Sequence, residues 1–255
     1  MADQILVHTQ ERILTIRMER PEKKNALTRQ MYMAMTAALR QAETSSDVRA
    51  ILITGTPDCF TAGNDLQDFA SAAPGEPAVA LEYLRVLAAV QKPIVAAVTG
   101  VAIGIGTTML LHCDLVYAGA GSRFQLPFVN LGLCPEAASS MILPALAGHH
   151  RAAELLLLGE PFNAETAKNL GIVNQIFPEQ EVLNAATERA RQLTQKPPSA
   201  LRATKMLLKR HSAPAIAETM AAEEHQFALM LQGGEAKEAF AAFLERRKPD
   251  FSKFE

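Results

Sequence analysis

The sequence contains no tryptophan and only three tyrosines and three cysteines in 255 residues. An odd number of cysteines without CxxC spacing argues against a disulfide framework, so Cys59, Cys113 and Cys134 are expected as buried, reduced thiols. Net charge is also scarce: 25 Lys and Arg against 27 Asp and Glu leave a formal −2. That balance removes any general attraction to nucleic acid or an anionic membrane, while local basic clusters remain available to a phosphorylated ligand. No uncharged apolar run reaches the roughly 18–20 residues of a membrane span. The opening MADQILVHTQERILTI lacks the features of a secretory signal, and the closing DFSKFE is not a peroxisomal address, so the expected location is cytoplasmic. HExxH and GxSxG are absent and His149-His150 has no second ligand set, so no metal and no serine nucleophile are expected.

What is present is a globular composition, 49% hydrophobic and 20% charged, with enough chain for a full core. ILVHTQERILTIRM reads as two strands joined by a polar turn at residues 8–12. LTRQMYMAMTAALRQAETSSD reads as a helical stretch with Thr28 as its N-cap, and VRAILITGTP as a fully buried strand. DCFTAGNDLQDFASAAPGEPA reads as a loop, a short helix and a flexible Pro/Gly stretch. After a helix stopped by Lys92-Pro93 come PIVAAVTGVAIG as strand and turn, IGTTMLLHCD as a short apolar helix, and LVYAGA as another strand. Such alternation indicates an α/β protein with a buried sheet. From about residue 148 the pattern is helical, and Leu156, Leu157 and Leu158 point in several directions of one helix, which predicts heavy burial there.

One stretch is chemically odd. LPFVNLGLCPEAASSMILP carries a single carboxylate, Glu136, among apolar and small residues. An ionised acid there is costly, so its pKa should rise, a liability in a scaffold and an asset in a proton shuttle. Taken alone, Glu136 reads as an acid favouring a helix N-terminus rather than as a proton shuttle. The turn around Gly100, Gly104 and Gly106 joins a strand to a helix whose free N–H groups suit an oxyanion. It is not a dinucleotide fingerprint, because GIGTTM lacks the third glycine and no ribose-binding acid follows. His112, in an apolar segment, reads as a core histidine.

RPEKKNAL, CFTAGNDL, KPIVAAVTGVAIGIG, HCDLVYAG, FQLPFVNLGLCPE and AKNLGIVNQIFP, with the tail AFLERRKPDF, together resemble the signatures of the crotonase (enoyl-CoA hydratase/isomerase) superfamily across nearly the whole chain. The resemblance implies an α/β fold, a crotonase-like spiral of ββα units over residues 1–195, with a C-terminal helical trimerisation region over residues 196–255. It implies an acyl-CoA thioester as substrate, coenzyme A being part of that substrate and no separate cofactor being needed, and a homotrimer or dimer of trimers.

By position, the resemblance makes the backbone N–H groups of Asn64 and Ile105 the donors that polarise the thioester carbonyl. Thr108 and Phe128 stand where the hydratases carry their two catalytic glutamates. Glu136, eight residues after Phe128, stands where the peroxisomal-type Δ3-Δ2-enoyl-CoA isomerases carry their catalytic base. Substrate contacts are expected at Lys24, Ala26, Ala62, Gly63, Asp65, Leu66, Gly106, Thr108 and Phe128. Asp65 reads equally as a helix cap, and Lys23, Arg246, Arg247, Lys248 and Lys253 read either as phosphate contacts or as solvated charges. The expected reaction is isomerisation of 3-enoyl-CoA to trans-2-enoyl-CoA. Hydration of 2-enoyl-CoA, another reaction of the superfamily, and non-catalytic acyl-CoA binding are the alternatives.

Overall fold

The computed structural model describes residues 4–70 and 79–254. The Pro/Gly stretch expected to be flexible, residues 71–78, lies outside the described residues. In chain order the elements begin with β1 (Ile5–Gln10), β2 (Ile13–Met18), α1 (Arg29–Thr44), β3 (Ala50–Thr54), α2 (Leu66–Ala70) and α3 (Val79–Ala89). There follow β4 (Ile94–Val98), β5 (Val101–Ile103), α4 (Ile105–Thr108), β6 (Leu115–Gly119), β7 (Arg123–Gln125), α5 (Ser139–Ala147) and α6 (His149–Leu158). The chain closes with β8 (Phe162–Asn163), α7 (Ala164–Asn169), β9 (Gln175–Phe177), α8 (Val182–Thr194), α9 (Pro198–Lys209), α10 (Ala213–Leu231) and α11 (Gly234–Leu244). The α/β class and the spiral of strand and helix units are as expected, with the helices gathered at the C-terminal end.

Two sheets carry the spiral. The larger runs β1-β2-β3-β4-β6-β9, with β1 antiparallel to β2 and the remaining neighbours parallel. The smaller runs β5-β7-β8. Every residue of β3 and β4 is buried, which explains their unbroken apolar runs. A parallel strand covered on both faces has no solvent side to make polar. One face holds Ile51, Ile53, Ala96 and Val98 in the main core, and the other packs Leu52, Val95 and Ala97 against Val182, Ala186 and Ala190 of α8. Thr28 caps α1 as expected, its hydroxyl accepting from the Met31 N–H. Among the described residues no helix is long and apolar enough to cross a membrane.

Four expectations change. The first turn is only Glu11 and Arg12, both at positive φ, because the strands keep pairing through Gln10 and Ile13. PIVAAVTGVAIG is two strands in different sheets, β4 and β5, and IGTTMLLHCD is one α-turn followed by a 3₁₀ turn at Met109–His112. The C-terminal part is not purely helical, since β8 and β9 are strands too short to show a period. Finally, α6 buries Leu155 while Leu157 and Leu158 are 70% and 53% exposed. Only one stripe of that helix meets the core within this chain, so the cluster of leucines is not buried as expected.

Candidate active site

Pairing of two loops decides where the main-chain donors lie. Residues 60–63 run beside β5: Phe60 N–H donates to Thr99, Thr61 N–H to Val101, and Ile103 N–H returns to Thr61 at 3.1 Å. This brings the exit of β3 against the entrance of α4. The approach is close: a Cβ on Gly106 would lie 2.7 Å from the Thr61 methyl, and one on Gly63 would lie 2.7 Å from the Ile103 carbonyl oxygen. Gly63 also sits at φ +91°, where an L side chain is strained. On either side of Asn64, Leu27 N–H donates to Gly63 and Asp65 N–H donates to Leu27, at 2.8 and 2.9 Å. The N–H of Asn64 itself, like that of Ile105 at the first position of α4, has no acceptor among the described residues. Two free main-chain donors on facing segments are suited to a developing oxyanion.

Two further residues hold this arrangement. Asn25, fully buried, receives the Arg20 N–H on Oδ1 at 2.7 Å and donates Nδ2 to the carbonyls of Cys59 and Phe60 at 2.7 and 3.1 Å. Tyr32, 2% exposed, donates its phenol to Asn64 Oδ1. Burial and, next, the nearby Glu136 carboxylate hold the Tyr32 phenol well above its ordinary pKa. Neither residue was assigned a site role from sequence. Asn25 lay inside the quoted RPEKKNAL, but nothing local says that an asparagine in a loop will be buried.

Glu136 is 3% exposed and has no ion-pair partner among the described residues. Thr108 Oγ1, from α4, donates to its Oε1 at 3.3 Å. Burial raises its pKa to about 8; the Thr108 bond opposes that rise and the Glu223 carboxylate adds to it. The loop that carries it is strained, because Ala137 and Ala138 are both left-handed, at φ 62° and 54°. Such a conformation costs on the order of 1–2 kcal/mol for each non-glycine residue. Glu223 of α10 offsets the strain by accepting from the N–H groups of Ala138 at 2.6 Å and Ser140 at 3.0 Å, and from the Ser140 hydroxyl. Opposite it, His112 Nε2 donates to the Ala137 carbonyl at 2.9 Å. Burial lowers the His112 pKa to about 4, so it is the neutral core histidine expected. Nothing in the sequence singles out Glu223, which lies 87 residues downstream of Glu136 beside another glutamate of the same helix.

The main cavity near these donors measures about 850 Å³. Asn64, Ile105, Lys24, Ala26, Ala62, Gly63, Asp65, Leu66 and Phe128 all line it. Lys23 and Arg246 add positive charge, while Leu131, Leu133 and Phe227 supply apolar wall. Three anticipated residues do not face this space. Gly106 packs on Thr61, Thr108 is fully buried against Glu136, and Glu136 borders a separate void of about 10 Å³. Phe227 lines both the cavity and that void, so it stands between Glu136 and the cavity. Asp65 does act as a cap, accepting from Gln67 and Asp68 N–H groups, and it pairs with Arg20 at 2.6 Å; that hydrogen-bonded pairing holds its pKa below the ordinary range despite partial burial. In the tail, Arg247 and Lys253 are occupied by Glu238.

The family described as enoyl-CoA hydratase/isomerase matches residues 8–253. The 2,3-dehydroadipyl-CoA hydratase of Escherichia coli K12 is 33% identical over 97% of this chain and 98% of its own length. Enoyl-CoA delta isomerase 2 of Rattus norvegicus is 37% identical over 81% of this chain, which spans 54% of that longer protein. The crystal structure of an enoyl-CoA hydratase/isomerase from Pseudoalteromonas atlantica T6c superposes with a TM-score of 0.92 at 38% identity, covering 98% of this chain and 100% of that one.

Proposed function

The chain belongs to the enoyl-CoA hydratase/isomerase family and is an acyl-CoA enzyme, and within that family we propose that it shifts the double bond of a 3-enoyl-CoA to the trans-2 position. The observation that carries this reading is the isolated carboxylate: Glu136 is enclosed, raised to about 8, and tied to the same short helix that supplies Ile105. Phe128 and Thr108, where hydration would call for acids, have no ionisable group in the physiological range.

In the reaction, the thioester oxygen lies between the N–H groups of Asn64 and Ile105. Ionised Glu136 removes a proton from C2, and the C–H electron pair moves toward the carbonyl, giving an enolate held by the two donors. Each such donor lowers the barrier by about 3–4 kcal/mol. The protonated Glu136 then returns the proton to C4 as the electrons collapse, leaving C2–C3 as the double bond. One carboxylate serves both steps because it is base first and conjugate acid second. The apolar wall of Leu133 and Phe227 keeps competing water from the enolate. Access of the acyl carbons to Glu136 requires Phe227 to yield.

Lys23, Lys24 and Arg246 line the cavity, which supports assigning them to the CoA phosphates. Coenzyme A enters with the substrate, and the chemistry needs no other cofactor. A homotrimer or dimer of trimers would cover exposed leucines such as Leu157, Leu158 and Leu208. The test is a panel of 3-enoyl-CoAs read by formation of the 2-enoyl chromophore, with crotonyl-CoA as the opposing arm. Isomerisation without loss of the crotonyl chromophore is expected. Hydration of crotonyl-CoA by the wild type at comparable rates would replace this reading with the hydratase one, and binding of CoA esters with no turnover would reduce it to a binding protein.

A further inference from the structure

A second cavity, of about 620 Å³, shares walls with the void at Glu136 and none with the main cavity. Arg85 and Met220 line both this cavity and the small void at Glu136. His112, whose ring bonds the carbonyl of the residue after Glu136, is also part of its wall. The three spaces therefore follow one another: the main cavity with its two N–H donors, the void at the proton shuttle, and this cavity beyond. A thioester seated at the donors and presenting C2 to C4 to Glu136 has its remaining carbons directed there.

The lining of that cavity is mostly aliphatic, including Leu111, Ile142 and Ile216, and among the described residues it contains no carboxylate. It does contain two cations. Arg85 is already paired with Glu224 and lies near Glu82. Lys209 is different: it lines the cavity, and its Nζ is enclosed with no hydrogen-bond partner among the described residues. The nearest carboxylate, Asp114, is taken by Lys205 at 2.6 Å. An enclosed ammonium without a partner is disfavoured by several kcal/mol unless something supplies one. Lys209 sits in the last turn of α9, and its four-carbon stem is flexible, so its ammonium is not fixed to one rotamer.

We propose that this cavity binds the distal end of an acyl chain that terminates in a carboxylate, with Lys209 as its counter-ion. The substrates so selected are CoA monothioesters of unbranched dicarboxylic acids. The aliphatic lining takes the methylenes and the ammonium takes the terminal charge. A plain alkyl chain would leave Lys209 as it is, enclosed and unpaired. The direction of the chain rests on the isomerase reading of Glu136, but recognition of the far end does not require turnover.

The experiment is calorimetric binding of two saturated CoA esters of equal carbon count, one ending in a methyl and one in a carboxylate, to wild type, Lys209→Met and Lys209→Arg. Wild type is expected to favour the carboxylate ester by roughly 10- to 100-fold, the range of a charge-assisted bond. Lys209→Met is expected to abolish the preference, and Lys209→Arg to retain most of it; thermal unfolding of each variant confirms that the comparison is made on folded protein. Equal affinity of wild type for both esters, or a preference that survives Lys209→Met, overturns the proposal. Saturated esters cannot be isomerised, so loss of turnover on 3-enoyl-CoAs with the binding preference intact overturns the isomerase reading alone.

Discussion

Replacing Glu136 with glutamine should make the protein more stable and inactive at once, and the size of the first effect follows from burial. In the unfolded chain the carboxyl ionises near its ordinary value of 4.5, and in the folded chain only at about 8. Between those values the unfolded state is the one that loses its proton, so the wild type loses stability as pH rises through the window. Below about 4 both states are protonated and nothing is lost. Above about 8 both are ionised and the full cost is present. At about 1.4 kcal/mol per pH unit, the cost is on the order of 3 kcal/mol at pH 7 and 5 kcal/mol above pH 8. Glutamine does not ionise, so the stability difference between Glu136→Gln and wild type should widen by that amount from pH 4.5 to 8. Comparing slopes removes the constant effect of placing an amide beside Thr108. Urea unfolding of both proteins at matched concentration, at pH 5, 6, 7 and 8, measures it. Parallel stability curves would mean that Glu136 is solvated in the folded protein, and the proton-shuttle argument would go with them. Turnover of a 3-enoyl-CoA by the same variant should fall by about 10²–10⁴-fold, the usual contribution of a positioned base.

Three other perturbations test the supports of the site. The wild-type kcat/KM should rise tenfold per pH unit and level off above about 8, since the ionised form of Glu136 is the base; Thr108→Val removes a bond that favours that form, so a pH profile should show the rising limb displaced to higher pH. Glu223→Ala should leave the N–H groups of Ala138 and Ser140 without acceptors, destabilising the protein by about 2–4 kcal/mol in denaturant titrations and lowering kcat as the left-handed loop relaxes. Gly63→Ala forces a Cβ to 2.7 Å from the Ile103 carbonyl at φ +91°, so the two donor segments must part; kcat should drop by at least tenfold, while the affinity for a saturated acyl-CoA, which forms no enolate, should fall by less.

Much of this site was legible in residue order because its parts are local. TAGNDL and AIGIGTT each set a glycine within a few positions of a strand exit, and it was the family resemblance of these segments that pointed to the N–H groups of Asn64 and Ile105; that both are free is seen only in the structure. The lone acid in an apolar stretch was equally visible, because desolvation depends on the company a charge keeps and here that company is adjacent in sequence. The leucines of α6 show the limit of the same reasoning: periodicity says which side chains are apolar, and Leu157 and Leu158 still face outward because nothing among the described residues covers them.

Tertiary structure alone decided how those parts face one another. It set Glu136 behind Phe227 instead of on the open cavity wall, and it brought Glu223 from α10 to hold a loop that two alanines could not hold in a left-handed conformation by themselves. It also enclosed Lys209 beside a cavity that no stretch of sequence outlines. Backbone donors and the desolvation of a charge arise from neighbours along the chain, whereas access, strain relief and the absence of a counter-ion are properties of surfaces assembled from segments far apart in it.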